Sequence, residues 1–182
     1  MDIEKYVDKV LISKEEIQKK VKELAREIAK DYKGQDLLLV GILRGAVVFL
    51  ADLAREISIP VALDFMAVSS YGTATKTSGV VRILKDLDED IKGRNVLLVE
   101  DIVDTGLTLK YLLKNLKSRK PASLEICTLL KKELTKEPSF NVKYQGFIIP
   151  NEFVVGYGLD YGEKYRNLPS ICTLKPEVFK DD

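Results

Sequence analysis

Glu100, Asp101 and Asp104 bring three carboxylates together, and Thr105-Gly106-Leu107-Thr108 follows them directly. Leu109, Leu112, Leu113 and Leu116 then repeat at helical spacing, so the small turn opens a helix. A helix start offers backbone N–H groups without intrahelical acceptors, and Thr105 and Thr108 add hydroxyls, which together make a seat for a phosphate. Three acids beside a bare phosphate seat would repel a polyphosphate. They make sense if the phosphate carries a sugar whose hydroxyls donate to Glu100 and Asp101, with a divalent cation offsetting the charge. An ordinary exposed loop does not require this order of residues against a buried strand.

The rest of the chemistry is narrowed by an absence. The sequence has no histidine, which excludes Ser-His-Asp and Cys-His nucleophiles and histidine-ligated metals. Acid–base work falls to Asp, Glu, Lys or Tyr. Cys127 and Cys172 are the only cysteines, in apolar segments and in no paired motif, so they read as buried thiols in a reducing cytoplasm.

Positioning these residues takes an α/β framework. Val96–Val99 is a short apolar run of the kind found in strands buried on both faces, and Glu100 and Asp101 end that run. Leu37–Ile42 is a second such strand, followed by Leu43-Arg44-Gly45-Ala46 and a helix to about Glu56. Small residues beside a cation at a strand-to-helix turn suit close approach of backbone to an anion. Ser13-Lys-Glu-Glu16 has capping-box spacing and starts an amphipathic helix through Ile17, Val21, Leu24, Ala25 and Ile28 to about Tyr32. Further strands are expected at Val61–Val68, Val80–Leu84 and Leu124–Leu130. Ser69–Gly79 between two of them is polar and rich in small residues, either a hairpin loop or a lid with Ser70 and Tyr71 at its leading edge. Asp86–Asp90 reads as an acidic turn that is solvated rather than metal-binding. In the aromatic and glycine-rich stretch from Tyr144 to Arg166, the one short strand candidate is Phe153–Val155, and Phe153, Asp160 and Arg166 stand out as an aromatic, an acid and a cation.

At 182 residues the chain fits one domain. Its 46% hydrophobic and 31% charged residues are an ordinary globular balance, and a formal net charge of +1 gives no bulk electrostatic case for nucleic acid or a membrane surface. No apolar run approaches the roughly 20 residues of a membrane span. The N-terminal residues lack a basic segment followed by an apolar core, so no signal peptide is expected.

The stretch from Val99 to Thr108 closely resembles the phosphoribosyl pyrophosphate signature of the type I phosphoribosyltransferases. With Leu43-Arg44-Gly45, Ser69-Ser70-Tyr71-Gly72 and Phe153-Val-Val-Gly-Tyr-Gly-Leu-Asp-Tyr161 through Arg166, the chain is similar over nearly its whole length to the hypoxanthine-guanine phosphoribosyltransferases, in their shorter, bacterial-type form. The resemblance implies a central, mostly parallel sheet at about 35–147 flanked by helices, with a small hood from the N-terminal segment and about 148–182, and a mobile loop. It implies transfer of a phosphoribosyl group from phosphoribosyl pyrophosphate to an oxopurine base, giving a purine nucleoside monophosphate and pyrophosphate, with Mg2+ as cofactor. On the matching positions, Glu100 and Asp101 hold the ribose hydroxyls directly or through magnesium. Asp104, Thr105, Gly106, Leu107 and Thr108 hold the ribose phosphate, and Asp104 is also the general acid or base at the five-ring nitrogen. Lys132, with Lys131 one position away in register, contacts the exocyclic oxygen, Phe153 stacks on the purine and backbone of Val154 reads its edge. Leu43, Arg44, Gly45 and Arg166 bind pyrophosphate, and Asp160 binds a second magnesium. Relatives are commonly dimers or tetramers. A regulatory protein of the same fold, or a transferase for xanthine or a pyrimidine, shares the first motif; the Lys132 and Phe153 pairing favours an oxopurine.

Overall fold

The computed structural model describes residues 3–71, 80–133 and 139–179, with the side chains of Glu4, Ser70, Tyr71 and Val80 left aside. A capped helix opens the main body. In α1 (Lys14–Asp31) the Ser13 hydroxyl accepts from the Glu16 N–H while the Glu16 carboxylate accepts from the Ser13 N–H, so two donors at the helix start are satisfied reciprocally. Ile17, Val21, Leu24 and Ile28 form its buried stripe, as their spacing predicts.

The central sheet comprises β2 (Leu37–Leu43), β3 (Ala62–Tyr71), β4 (Val80–Lys85), β5 (Asn95–Val103), β6 (Ser123–Lys132) and β7 (Tyr144–Ile149), in the order β4-β3-β2-β5-β6-β7. All neighbours are parallel except β3 and β4. Helix α2 (Val47–Glu56) links β2 to β3, and α3 (Leu107–Ser118) links β5 to β6. Leu37, Leu39, Leu97, Val99, Cys127 and Leu129 face α1 and α2, while Leu38, Val40, Val96, Leu98 and Ile126 face α3. That alternation explains why β2 and β5 are apolar at consecutive positions: both faces are covered. The order in which successive strands are added reverses between the parallel neighbours β2 and β5, and right-handed crossovers then require α2 and α3 on opposite faces, where they are found. The reversal opens a crevice at the carboxyl ends of β2 and β5, the place where sheets of this type bind ligands.

A separate two-stranded antiparallel sheet pairs β1 (Val7–Ile12) with β8 (Ile171–Leu174). Cys172 and Leu174 of β8 form a small core with Val155 and Leu168 of the segment 150–170, against which Tyr6 and Val7 pack. No helix of the described residues is long and apolar enough to cross a membrane.

Two expectations need correction. The strand at Val96 does not end at the acids: β5 runs on to Val103, with Glu100 opposite Thr128 and Val103 opposite Lys131, because ladder pairing uses backbone groups whatever the side chain. The strand of the aromatic region is Tyr144–Ile149 rather than Phe153–Val155; Gly146 lets it approach β6, since a methyl there would lie 2.3 Å from the Leu129 carbonyl oxygen. Among the described residues, a single bridge, Val155 to Cys172, involves the expected segment. The acidic turn is exposed to solvent, as expected, and also carries ion pairs, Asp86 with Arg119 at 2.8 Å and Asp88 with Lys85 at 3.0 Å. Of the expected loop or lid Ser69–Gly79, the backbone of Ser69–Tyr71 continues β3 in pairing with β4, while residues 72–79 and the side chains of Ser70 and Tyr71 lie outside the described residues. Both cysteines are buried and outside any disulfide.

Candidate active site

Two strand-to-helix turns meet at the switch point. After β5, Gly106 adopts φ +73, a left-handed conformation suited to glycine, and turns the chain into α3. No side chain caps this helix start, and the first intrahelical bond is from the Lys110 N–H to the Gly106 carbonyl at 2.9 Å. The N–H groups of Leu107, Thr108 and Leu109 therefore have no acceptor within the helix. They line a pocket of about 100 Å³ together with Glu100, Ile102, Val103, Asp104, Thr105 and Gly106. After β2, the Leu43–Arg44 peptide is cis and Gly45 leads into α2.

The acid pair is held in the sheet edge rather than in solvent. Glu100 Oε2 is fully buried with no hydrogen-bond partner among the described residues. Burial, then the neighbouring Asp101 carboxylate, pushes the Glu100 carboxyl well above its ordinary range. Asp101 is pushed up to about 6, chiefly by burial; the Ile102 N–H, donating to Oδ1 at 2.7 Å, and the Arg166 guanidinium pull the other way, and Asp160 adds to the rise. A methyl on Gly45 would lie 1.6 Å from Asp101 Oδ2, so only glycine lets the two turns close. Gly158, at φ +104, presses on the other side: a methyl there would lie 2.1 Å from the Gly45 carbonyl oxygen.

Asp104 and Lys132 sit at the ends of adjacent strands. Lys131 is in register with Val103, and Lys132, one residue on, reaches Asp104 Oδ2 at 3.1 Å. The Lys132 side chain is 13% exposed and that of Asp104 53%, so a sheltered ammonium holds a presented carboxylate.

The segment above the crevice supplies the remaining groups. Phe153 is 51% exposed and meets Tyr161 and Phe179 edge to face, at 5.8 Å and 5.9 Å between ring centroids. Val154 is buried. Arg166 donates to the Gly158 carbonyl at 2.8 Å and pairs with Asp160 at 2.9 Å. Tyr157 donates to Asp52 Oδ2 at 2.5 Å, tying this segment to α2, and Asp52 also pairs with Arg55.

Oxygen donors dominate the crevice, and among the described residues no three acidic side chains gather around one point. With the orphaned Glu100 oxygen and the mutual influence of Asp101 and Asp160, this donor set fits magnesium, which takes one or two carboxylates and draws its other ligands from water and substrate phosphates.

The structure thus brings Glu100, Asp101, Asp104–Thr108, Lys132, Gly45, Asp160 and Arg166 to one crevice. Sequence reasoning missed Gly158, Tyr157 and Glu163. The alternating glycines at Gly156 and Gly158 signalled an unusual backbone; nothing marked Glu163.

The phosphoribosyl transferase domain model matches residues 11–162. The chain is 56% identical over 180 residues to the hypoxanthine-guanine phosphoribosyltransferase of Mycobacterium avium, covering 96% of this chain and 89% of that one. It is 51% identical over 174 residues to the enzyme of that name from Bacillus subtilis (strain 168), covering 96% and 97%. The crystal structure of a hypoxanthine phosphoribosyltransferase from Staphylococcus aureus superposes with a TM-score of 0.93 at 49% identity, over 97% of this chain and 96% of that one. The central sheet with its covering helices is accordingly the type I phosphoribosyltransferase fold, and the chain belongs to the hypoxanthine-guanine phosphoribosyltransferase family.

Proposed function

We propose that this chain transfers the phosphoribosyl group of phosphoribosyl pyrophosphate to hypoxanthine or guanine, forming IMP or GMP and releasing pyrophosphate in purine salvage. The observation that carries the reading is the Asp104–Lys132 pair at 3.1 Å beside the open start of α3. An oxopurine displays a five-ring nitrogen next to an exocyclic oxygen. Lys132 donates to that oxygen, and Asp104 exchanges a proton at the nitrogen. Adenine offers an amino group instead of the oxygen, leaving a sheltered ammonium facing a donor, which a polar site rejects strongly.

The remaining roles belong to the same proposal. The N–H groups of Leu107–Leu109 with Thr105 and Thr108 bind the ribose phosphate. Glu100 and Asp101 accept from the ribose hydroxyls, which gives the orphaned Glu100 oxygen a partner. As pyrophosphate leaves, positive charge develops on the ribose, and the same carboxylates stabilise it without forming a bond. Phe153 packs on the purine, and backbone of Val154 meets its edge. Backbone of Leu43, Arg44 and Gly45, with Arg166, holds the diphosphate. Asp160, and Glu100 and Asp101 by way of the ribose, would hold magnesium, which when bound neutralises the leaving group. Ser70 and Tyr71 lead a lid that excludes water. We take the enzyme to be a cytoplasmic homo-oligomer, a dimer or tetramer, of one domain whose hood carries Phe153 to Arg166.

The test is a transfer assay with phosphoribosyl pyrophosphate, magnesium and hypoxanthine, guanine, xanthine, adenine or uracil in turn. Nucleotide and pyrophosphate are expected with hypoxanthine or guanine and little with adenine; inactivity with every base sinks the reading.

A further inference from the structure

Arg44 and Arg166 lie far apart in the chain yet converge on one carboxylate. Arg44 Nη2 donates to Glu163 Oε1 at 3.0 Å, and its Nη1 lies 3.0 Å from Oε2. Arg166 Nη2 reaches the same Oε2 at 3.1 Å. The backbone of Glu163 has φ +63, an uncommon conformation for a residue with a side chain, and its N–H donates to Asp160 Oδ2 at 2.9 Å. The turn is therefore pinned from below and delivers the carboxylate between the two guanidinium groups.

Stability does not account for this arrangement. The side chains of Arg44 and Glu163 are 69% and 56% exposed, and ion pairs so exposed to water contribute little to folding. Location does account for it. Arg44 adjoins Gly45, which touches Asp101, and Arg166 is bonded to Gly158, which touches Gly45, so both cations border the crevice. A carboxylate engaged by two guanidinium forks occupies the hydrogen-bonding positions that a bridging phosphate would take.

We propose that Glu163 is a displaceable internal anion that fills the Arg44–Arg166 clamp in the free enzyme and competes with the diphosphate for it. The inference rests on the reading of this crevice as a phosphoribosyl pyrophosphate site. Its consequence is directional. Glu163 weakens the binding of phosphoribosyl pyrophosphate and pyrophosphate and hastens release of the latter, whereas a residue that merely aligned the arginines would strengthen both.

The experiment titrates pyrophosphate, in magnesium buffer, into the full chain and into E163Q by calorimetry, with release rates measured by stopped flow. E163Q keeps the side-chain size and the N–H bonded to Asp160 while removing the charge. Because exposed ion pairs are individually weak, the expected tightening is modest, roughly 3–10-fold, with slower release. E163G, which also relieves the left-handed backbone, is expected to tighten binding in the same direction. Unchanged or weaker binding in both variants overturns the proposal. E152Q, on the same segment, controls for bulk charge; equal tightening there also overturns it. If the unaltered chain binds pyrophosphate and performs transfer while neither E163Q nor E163G binds tighter, only the role of Glu163 fails. If the unaltered chain neither binds nor transfers, the site reading fails with it.

Discussion

Gly45 and Asp101 are in contact across the switch point, with a methyl on Gly45 placed 1.6 Å from Asp101 Oδ2. The carboxylate cannot simply swing aside, because its other oxygen accepts from the Ile102 N–H at 2.7 Å. Nor can the turn back away, since Gly158 presses on the Gly45 carbonyl from the opposite side. Gly45→Ala is expected to destabilise the protein by about 1–3 kcal/mol, in the range of an overpacked interior, and to weaken phosphoribosyl pyrophosphate binding. Chemical unfolding and ligand titration check both; native stability together with native affinity would show that the contact is slack.

Base choice tests the register of β6. Lys132 faces Asp104, while Lys131 is in register with Val103 one residue earlier. Lys132→Ala is expected to erode discrimination between hypoxanthine and adenine, measured as the ratio of kcat/KM, by about 10–100-fold, the range of one lost charged hydrogen bond. Lys131→Ala should leave that ratio within about twofold, as an interaction not made in the transition state contributes nothing to it. The reverse pattern would shift the site by one residue.

The acids are held against their own preference. Asp101 is pushed up to about 6 by burial, so the folded protein keeps a proton that the unfolded chain releases near pH 4. Stability of the ligand-free protein therefore falls as pH rises from about 4 to about 6, and the penalty is complete above that window. At pH 7 it is on the order of 2–3 kcal/mol, and Glu100 acts in the same direction. Asp101→Asn should raise the melting temperature at pH 7 and flatten this pH dependence while impairing transfer. A variant less stable than the parent at pH 7 would contradict the burial argument.

How much of this was legible in the sequence depends on the range of the forces involved. The α1 capping box and the buried apolar runs Leu37–Ile42 of β2 and Val96–Val99 of β5 are local patterns, and each lies where its residues imply, though β5 itself runs on to Val103. The acid–threonine motif was readable because strand, turn and helix start are contiguous. The pairing of β1 with β8 was not, since two short strands from opposite ends of the chain meet only through the tertiary fold. β7 is weakly encoded locally, because Gln145 and Gly146 interrupt the apolar pattern of Tyr144–Ile149 and only its pairing with β6 makes it a strand. The stacking of Gly158 on Gly45 and the reach of Glu163 to Arg44 join residues more than a hundred positions apart, which no local spacing encodes.

Aromatic packing gives a separate prediction. Phe179, from the 3-10 turn Pro176–Phe179, meets Phe153 at 5.9 Å with the rings at 90°. Phe179→Ala should loosen the Phe153 ring and raise KM for the purine about 2–10-fold, as expected from the loss of one aromatic pair. KM for phosphoribosyl pyrophosphate should stay unchanged. An effect on both substrates would point instead to a general loosening of the segment.

The account stands or falls most directly on Asp104. Single-turnover transfer by Asp104→Asn, set beside equilibrium binding of the nucleotide product, separates chemistry from binding. The expected result is a loss of about 10²–10⁴-fold in turnover, the usual contribution of a positioned acid or base. Nucleotide affinity should change far less. An unimpaired turnover number in that variant would contradict the assignment of proton transfer to Asp104.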